Sequence, residues 1–266
     1  MITINQSKCI GCGQCVNICP FTVLKMNDAH KAEVTEKHCL ECMHCAIICP
    51  VQTITFDGEN VIGEEVKELP ENTADIVENL IKQRRSYRKF ETRKVPRVEI
   101  TEMITSASLV ASAKNTHPTK WLVLDDESEI KELMDIIESF CRTNQVSPEI
   151  IAELENNNNP VVGEHASLLI GICKNDALDP IHDTAIAMTS IELMMQSRGI
   201  GTCWGGYLLR YLNNIPECRK FIGLSEDMSV CGTLMFGYPK QNKYRYLPKR
   251  LAEVELQYGV CPTVKS

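Results

Sequence analysis

The sequence predicts an α+β protein with a small cysteine-rich domain at residues 1–57 and a larger domain at residues 74–266, in which helices cover a sheet. Three observations support this prediction. A cysteine motif occurs twice within the first 50 residues. Residues 58–73 are acidic, contain two glycines and a proline, and have the composition of a linker. Beyond the linker, strand-like and helix-like segments mix without the strict alternation of a doubly wound sheet.

Length and composition limit the class of protein. The chain has 266 residues, 44% of them hydrophobic, and can bury a sizeable core. No apolar run approaches the roughly 18 residues that span a bilayer, and no signal-like segment precedes Cys9. We therefore expect a cytoplasmic protein with no membrane partner. In a reducing compartment its 14 cysteines indicate metal ligation or redox chemistry rather than disulfides.

The repeated cysteine motif is the strongest chemical signal. CIGCGQCVNICP begins at residue 9, and CLECMHCAIICP repeats the same cysteine spacing 30 residues later. In this pattern three thiolates of one loop bind one iron-sulfur cluster, and the fourth cysteine binds the other cluster. Zinc is the rival metal, but a zinc site uses two separated Cys-x-x-Cys pairs, and here ligands would be left over. The predicted ligand sets are Cys9, Cys12, Cys15 and Cys49 for one cluster, and Cys39, Cys42, Cys45 and Cys19 for the other.

Helices and strands of the larger domain follow from hydrophobic periodicity. Strands are predicted where apolar runs begin at Trp121, Ala166 and Ser229, and residues 142–165 are predicted to be loop-rich. A fourth helix, at 183–198, is expected to lead through GIGTCWGG into more helix. The core-facing residues of the first three helices are Ile76, Val77, Leu80 and Ile81, then Ile100, Met103, Ile104, Ala107 and Ala111, then Ile130, Leu133, Met134 and Ile137.

A basic block, RRSYRKF at residues 84–90, follows the first of these helices. Its arginines and serine are the donors that a phosphate group requires. Cations at a helix C-terminus also stabilise the helix dipole, so the block alone does not decide between the two roles. A nucleic-acid patch is a third possibility, but the net charge of −7 and the acidic neighbouring segment oppose it. We therefore expect no nucleic-acid partner.

Two resemblances carry the prediction further. RRSYRKF, SAKNTHP at 112–118, GIGTCWGG at 199–206, and GYP at 237–239 with LPKR at 247–250 follow the order and spacing of the nitroreductase-like FMN family. The N-terminal motifs resemble the bacterial two-cluster ferredoxins. The whole chain thus resembles a ferredoxin-nitroreductase fusion. This resemblance implies a mainly antiparallel sheet flanked by helices, and a homodimer with FMN at its interface.

The nitroreductase resemblance also implies which residues bind FMN. One group would contact the phosphate, the ribityl chain and the pyrimidine edge. A second would reach over the flavin from the partner subunit, a third would run beside the ring, and a fourth would supply late cations to the phosphate. In that order the groups are Arg84, Arg85, Ser86 and Arg88; Ala111, Ser112, Ala113 and Asn115; Cys203, Trp204, Gly205 and Gly206; and Arg245, Lys249 and Arg250.

The predicted function combines both resemblances. Clusters carry single electrons, so two-electron chemistry on an organic molecule needs a converter, for which a flavin is the commonest choice. We expect electrons from a low-potential donor, either ferredoxin-like or NAD(P)H, to pass through two 4Fe-4S clusters to FMN. FMN would then reduce a small organic acceptor such as a nitroaromatic, a quinone or an activated alkene. The alternative is an electron-transfer relay that delivers electrons to a protein partner.

Overall fold

The computed structural model describes residues 1–240, 244–249 and 252. Its N-terminal elements are short, and the helices and strands beyond residue 72 are longer. In chain order the elements are β1 (Ile2–Ile4), α1 (Gln14–Ile18), β2 (Leu24–Met26), β3 (Ala32–Val34), α2 (His44–Ile47), β4 (Ile54–Phe56), α3 (Thr73–Gln83), α4 (Arg97–Ala107), β5 (Lys120–Leu124), α5 (Glu127–Asn144), α6 (Pro148–Glu155), β6 (Ser167–Lys174), α7 (Pro180–Ser197), β7 (Gly201–Trp204), α8 (Gly206–Asn214), α9 (Pro216–Phe221) and β8 (Met228–Gly237).

The duplicated cysteine motif folds into two similar halves. Strand β1 pairs with β4, and β2 pairs with β3, both in antiparallel register. The first loop has Gly11 and Gly13 at positive φ, and the second loop places Glu41 and Met43 in the same left-handed conformation 30 residues later. Glycine adopts this conformation without steric cost, whereas other residues require support from their surroundings. The two cysteine loops therefore share one backbone path despite their different sequences.

The sheet of the larger domain is antiparallel throughout, with the strand order β5-β6-β8-β7. Its central strand β6 is buried on both faces. Leu169 packs on one side with α4 and α7, and Leu168 and Ile170 pack on the other side with α5 and α8. A strand that is buried on both faces has apolar residues at successive positions. The apolar run SLLIGIC therefore predicts a buried strand. The predicted α+β class, with helices flanking an antiparallel sheet, is confirmed.

Two predictions about secondary structure were wrong. The segment 142–165 contains the helix α6, which begins with Pro148 at its first position. The segment GIGTCWGG contains the edge strand β7 before the helix α8 begins. Strand β7 is only four residues long and starts with a glycine, so it leaves almost no period-two pattern in the sequence. Its pairing with β8 is a tertiary contact that local sequence does not reveal.

The predicted core-facing side of α3 is exposed in the single chain. Ile76, Val77 and Ile81 are 52%, 47% and 55% exposed, and no residue of this helix is buried. The amphipathic pattern correctly predicted a helix, but the described residues of its own chain do not cover the apolar side. Ala111 was also placed wrongly, because α4 ends at Ala107 and Ala111 is exposed.

No helix in the described residues is long and apolar enough to cross a lipid bilayer.

Candidate functional site

One cavity of the N-terminal elements brings together cysteines from both motifs. Cys19 of the first motif lines it together with Cys39, Cys42 and Cys45 of the second. Burial, with a smaller contribution from the neighbouring Cys39 and Cys42, raises the pKa of the Cys45 thiol to about 11. This is the set of four thiols that the crossed assignment predicts for one cluster.

The electrostatics of the second predicted set agree with the crossed assignment. Burial raises the pKa of Cys15, and the charges of Cys49 and Cys12 raise it further. Cys9 is buried in the same hydrophobic core as Cys15. Cys15 lies in α1 and Cys45 in α2, and no three metal-binding side chains in the described part of the chain converge on a single-ion position.

A cleft in the larger domain joins two of the predicted flavin segments. Arg88 of the basic block lines it, together with the segment from Cys203 to Gly206. The cleft has a volume of about 390 Å³. A main-chain hydrogen bond from the amide of Tyr87 to the carbonyl of Thr202, at 2.8 Å, holds the basic block beside β7. Sequence segments more than one hundred residues apart therefore form adjacent walls of one site.

The three arginines of the basic block have different surroundings. Arg88 lines the cleft, whereas Arg84 points towards the carboxylate of Glu192 at 3.5 Å. Arg85 Nη1 donates to the carbonyls of Lys82 at 2.8 Å and Arg84 at 2.5 Å, which lie at the end of α3. Arg85 Nη2 is buried and has no hydrogen-bond partner among the described residues. An orphaned buried guanidinium donor is costly and fits an anionic ligand.

Ser86 lies between the basic block and β7. Its main chain forms an isolated β-bridge with Thr202, the residue before Cys203. Burial raises the pKa of Cys203, whose thiol is only 1% exposed. The thiol of Cys203 is therefore protonated at neutral pH, and its role at the cleft is one of packing.

The predicted segment from Ala111 to Asn115 does not line the cleft of its own chain. It forms a short 3₁₀ turn, in which the amide of Ala113 donates to the buried carboxylate of Asp183 at 2.8 Å. The Asn115 side chain donates to the carbonyl of Glu41 in the second cysteine loop, at 3.2 Å. Ser112 accepts a hydrogen bond from the amide of His117, which stabilises the turn. This segment therefore contacts the cysteine-rich elements.

The structure describes two of the three cationic residues near the C-terminus that are predicted to contact the phosphate. Arg245 and Lys249 are exposed, and Arg250 lies outside the described residues. The ring of Tyr244 lies 5.8 Å from the ring of Tyr87, so the segment that carries Arg245 passes beside the basic block. Their predicted contact with a phosphate stays a prediction.

Five residues of the cleft wall were not predicted individually from the sequence, and one of them is Met235 of β8. Pro160 and Val161 follow the NNNN run, and Tyr207 and Arg210 lie on the first turns of α8. Arg210 adds a second cation, and its guanidinium lies 5.7 Å from the centre of the Tyr207 ring. The signal for Arg210 was its position one turn after the Gly-Gly pair, where a helix begins at the cleft. Nothing local in NNNNP indicates that the loop reaches this site.

Besides Cys203, five cysteines lie outside the motifs, and their irregular spacing within apolar runs predicts small core residues. Cys141, Cys173 and Cys218 are buried, as expected. Cys231 is half-buried and was placed wrongly, because it lies at an irregularity in the pairing of β6 with β8. Cys261 lies outside the described residues.

A cavity lined by cysteines of both motifs, together with a cationic cleft in the α+β domain, is typical of an oxidoreductase with an iron-sulfur centre and a second cofactor site. Comparison with known proteins agrees with this class. The profile of the nitroreductase family matches residues 81–238. The profile of the 4Fe-4S dicluster domain matches residues 2–56.

Individual relatives cover the larger domain. YfhC of Bacillus subtilis (strain 168), provisionally named an NAD(P)H nitroreductase, is 23% identical over 62% of this chain and 86% of its own length. A protein of Archaeoglobus fulgidus, provisionally named an NADH dehydrogenase/NAD(P)H nitroreductase, is 26% identical over 63% of this chain and 87% of its own. Both matches extend over most of the relatives' length.

Solved structures show the same fold. A nitroreductase from Bacteroides fragilis, solved with bound FMN, superposes with a TM-score of 0.54 at 21% identity, over 71% of this chain and 98% of that one. A nitroreductase with bound FMN from Desulfitobacterium hafniense has a TM-score of 0.56 at 16% identity, over 67% and 98%. The chain belongs to the nitroreductase family of oxidoreductases and carries a 4Fe-4S dicluster domain in front of the family's fold.

Proposed function

We propose that this chain binds two 4Fe-4S clusters and one FMN per subunit, and that it passes electrons from a low-potential donor through the clusters to FMN. A small organic acceptor, such as a nitroaromatic, a quinone or an activated alkene, then takes two electrons. We assign the clusters to residues 1–57, an acidic linker to 58–73 and the FMN domain to 74–266. The donor is a ferredoxin-like protein or NAD(P)H, in the cytoplasm. The observation that carries the proposal is the cationic cleft where the basic block meets β7.

The cations of the cleft fit the phosphate of FMN. Arg88 and Arg210 line it, and Arg85, outside the lining, offers a buried Nη2 donor that has no partner among the described residues. Planar guanidinium groups bind phosphate oxygens with two parallel hydrogen bonds. We assign the phosphate to these arginines, with Arg245, Lys249 and Arg250 as additional cations.

Backbone amides at the start of α8 complete the site. The amide of Gly205 donates to the carbonyl of Thr233 at 3.0 Å, so it is not available to a ligand. The amide of Gly206 lies in the first turn of α8, where no helical carbonyl accepts it. Such donors stabilise negative charge on a bound group. Bound FMN supplies the conversion between single electrons and electron pairs.

A homodimer accounts for two features that the single chain leaves incomplete. The segment that contains Ser112 and Asn115 does not line the cleft of its own chain, and α3 exposes its apolar side. Helix α7, which contacts α3, also exposes Ile181 and Ile186, at 64% and 43%. A second copy that covers these faces would bring its own Ser112 segment to the flavin.

The proposal is tested by cofactor content and reoxidation. Protein purified without oxygen is expected to contain FMN and eight iron atoms per chain, as two 4Fe-4S clusters require. The reduced protein is then mixed with a nitroarene, a quinone and an enone, and flavin absorbance is followed. Rapid reoxidation by one of the three supports the enzyme. If none of the three acceptors reoxidised the flavin, the enzyme proposal would be contradicted and the electron-transfer relay would be favoured.

Replacing the cations separates the two cofactor sites. Arg85→Ala with Arg88→Ala is expected to remove FMN while the iron content stays at its wild-type value, because the cysteine cavities do not involve these arginines. Arg93→Ala is the matched control, since its guanidinium lies 3.6 Å from the ring of Tyr238 and does not line the cleft. Unchanged FMN content in the double variant would contradict the phosphate assignment.

A further inference from the structure

Glu192 is a buried acid in the middle of α7. It is 3% exposed, and it follows Ile191, which packs in the core between α7 and the sheet. Burying a carboxylate is costly unless hydrogen bonds or a cation compensate for the lost hydration. An acid at this position therefore needs a structural or chemical reason, which its apolar neighbours do not provide.

Both carboxylate oxygens of Glu192 are bound to residues of the predicted flavin segments. Oε1 accepts from Thr202 Oγ1 at 2.8 Å and lies 3.5 Å from Arg84 Nη1. Oε2 accepts from the indole Nε1 of Trp204 at 3.1 Å. Arg84 comes from the basic block and Trp204 lines the cleft, so one acid joins the two segments that form the site.

The negative charge of Glu192 affects the pKa of Cys203, which lines the cleft. The pKa of Cys203 is raised first by burial, and Glu192 is among the groups that raise it further. Arg84 and Arg88 act on the same thiol in the opposite direction. Because Cys203 lines the cleft, a group bound there would lie within the field of the same carboxylate.

We propose that Glu192 is a positioning residue that fixes Arg84, Thr202 and Trp204 at the flavin cleft, and that its buried negative charge lowers the reduction potential of the bound flavin. The inference rests on the proposed function, since it assigns a role towards FMN. Addition of two electrons and one proton converts oxidised FMN to its anionic reduced form, which carries one more negative charge. A fixed carboxylate beside the site disfavours that product by electrostatic repulsion.

The test uses Glu192→Gln in the full-length protein with its clusters. Glutamine keeps the length of the side chain and an oxygen acceptor, but it removes the charge. We expect FMN to remain bound and its midpoint potential, measured by spectroelectrochemistry, to become more positive. Asp179→Asn is the matched control, because it also removes one negative charge, at the exposed N-terminal end of α7 and outside the cleft, and its potential is expected to stay at the wild-type value.

An unchanged flavin potential in Glu192→Gln with bound FMN would overturn the proposal that the charge of Glu192 lowers this potential.

The proposal that Glu192 positions Trp204 is tested without FMN, so this test does not depend on the proposed function. In a Trp121→Phe background Trp204 is the remaining tryptophan of the chain. Adding Glu192→Gln is expected to change its emission or its quenching by iodide, because the indole loses its charged acceptor. Identical emission and quenching would overturn the positioning role, whereas absence of FMN from the wild type would contradict the proposed function alone.

Discussion

Gly163 lies where two segments of the cleft wall approach most closely. Its φ is +72°, and a Cβ atom there would lie 2.5 Å from the carbonyl oxygen of Arg88. Two causes therefore require glycine at this position: the left-handed backbone and the lack of space. The neighbouring residue Glu164 donates its amide to the same carbonyl of Arg88, at 2.9 Å, which holds the segments together.

Gly163→Ala is expected to displace Arg88 and to reduce FMN content. The left-handed conformation costs a residue other than glycine about 1–2 kcal/mol, and the clash with the main chain adds to that cost. FMN per chain and the thermal midpoint of unfolding measure the two effects. Gly199→Ala is the control, because Gly199 has a φ of +74° and nothing within 4 Å of its Cβ position. Equal loss of FMN in both variants would contradict the role of the Arg88 contact.

The sequence predicted residue chemistry better than residue orientation. RRSYRKF indicated an anion site, and Arg88 does line the cleft. It did not indicate that Arg84 points to Glu192, because that contact joins residues 108 positions apart. The burial of Glu192 could not be predicted from the sequence, because an acidic residue in a helix is most often exposed to solvent. Only the packing of α7 against β7 shows that this acid is buried.

Among the elements, long periodic helices and apolar strands were predictable and short paired ones were not. Helix α5 has five buried apolar residues at helical spacing, and Asp126 accepts hydrogen bonds from the amides of Ser128 and Glu129 at its start. Strand β6 carries a continuous apolar run. Strand β7 exists because it pairs with β8, and helix α6 follows a polar segment with little periodicity. Tertiary contacts, rather than local preference, decide such elements.

Helix α3 supports a prediction about assembly. Replacing Ile76 and Ile81 by glutamate is expected to dissociate the proposed homodimer, since both side chains are exposed in the single chain and would be buried against a partner. A homodimer carries each substitution twice, so four isoleucines, each about half exposed in the single chain, together contribute about 3–6 kcal/mol. The dissociation constant is therefore expected to rise roughly 10²- to 10⁴-fold. Analytical ultracentrifugation over a range of concentrations measures this constant.

A control variant in the same helix separates interface effects from charge. Asn79→Glu also adds a negative charge to an exposed position of α3, but outside the apolar set formed by Ile76, Val77 and Ile81. We expect it to leave the dimer intact. A wild-type protein that is monomeric at all concentrations, or a double variant that dimerises like the wild type, would show that this face is not the interface.

On the scale of the whole molecule, the two halves of the chain meet at the second cysteine loop. Asn115 Nδ2 donates to the carbonyl of Glu41, which lies between Cys39 and Cys42. The strongest element-to-element contacts among the described residues otherwise lie within one domain or the other. In the proposed assignment, the cluster held by the second loop is therefore the one placed to exchange electrons with the larger domain.

The crossed ligand sets determine which cysteines control this transfer. Cys19 lines the same cavity as Cys42, whereas the charge of Cys49 raises the pKa of Cys15 in the first motif. Cys19→Ser and Cys42→Ser are thus expected to change the same electron paramagnetic resonance signal and to slow flavin reduction by a reduced ferredoxin. Cys49→Ser is expected to change the other signal, together with Cys12→Ser. If Cys49→Ser instead removed the signal that Cys42→Ser removes, each motif would bind its own cluster. The crossed assignment of cysteines to clusters would then be wrong.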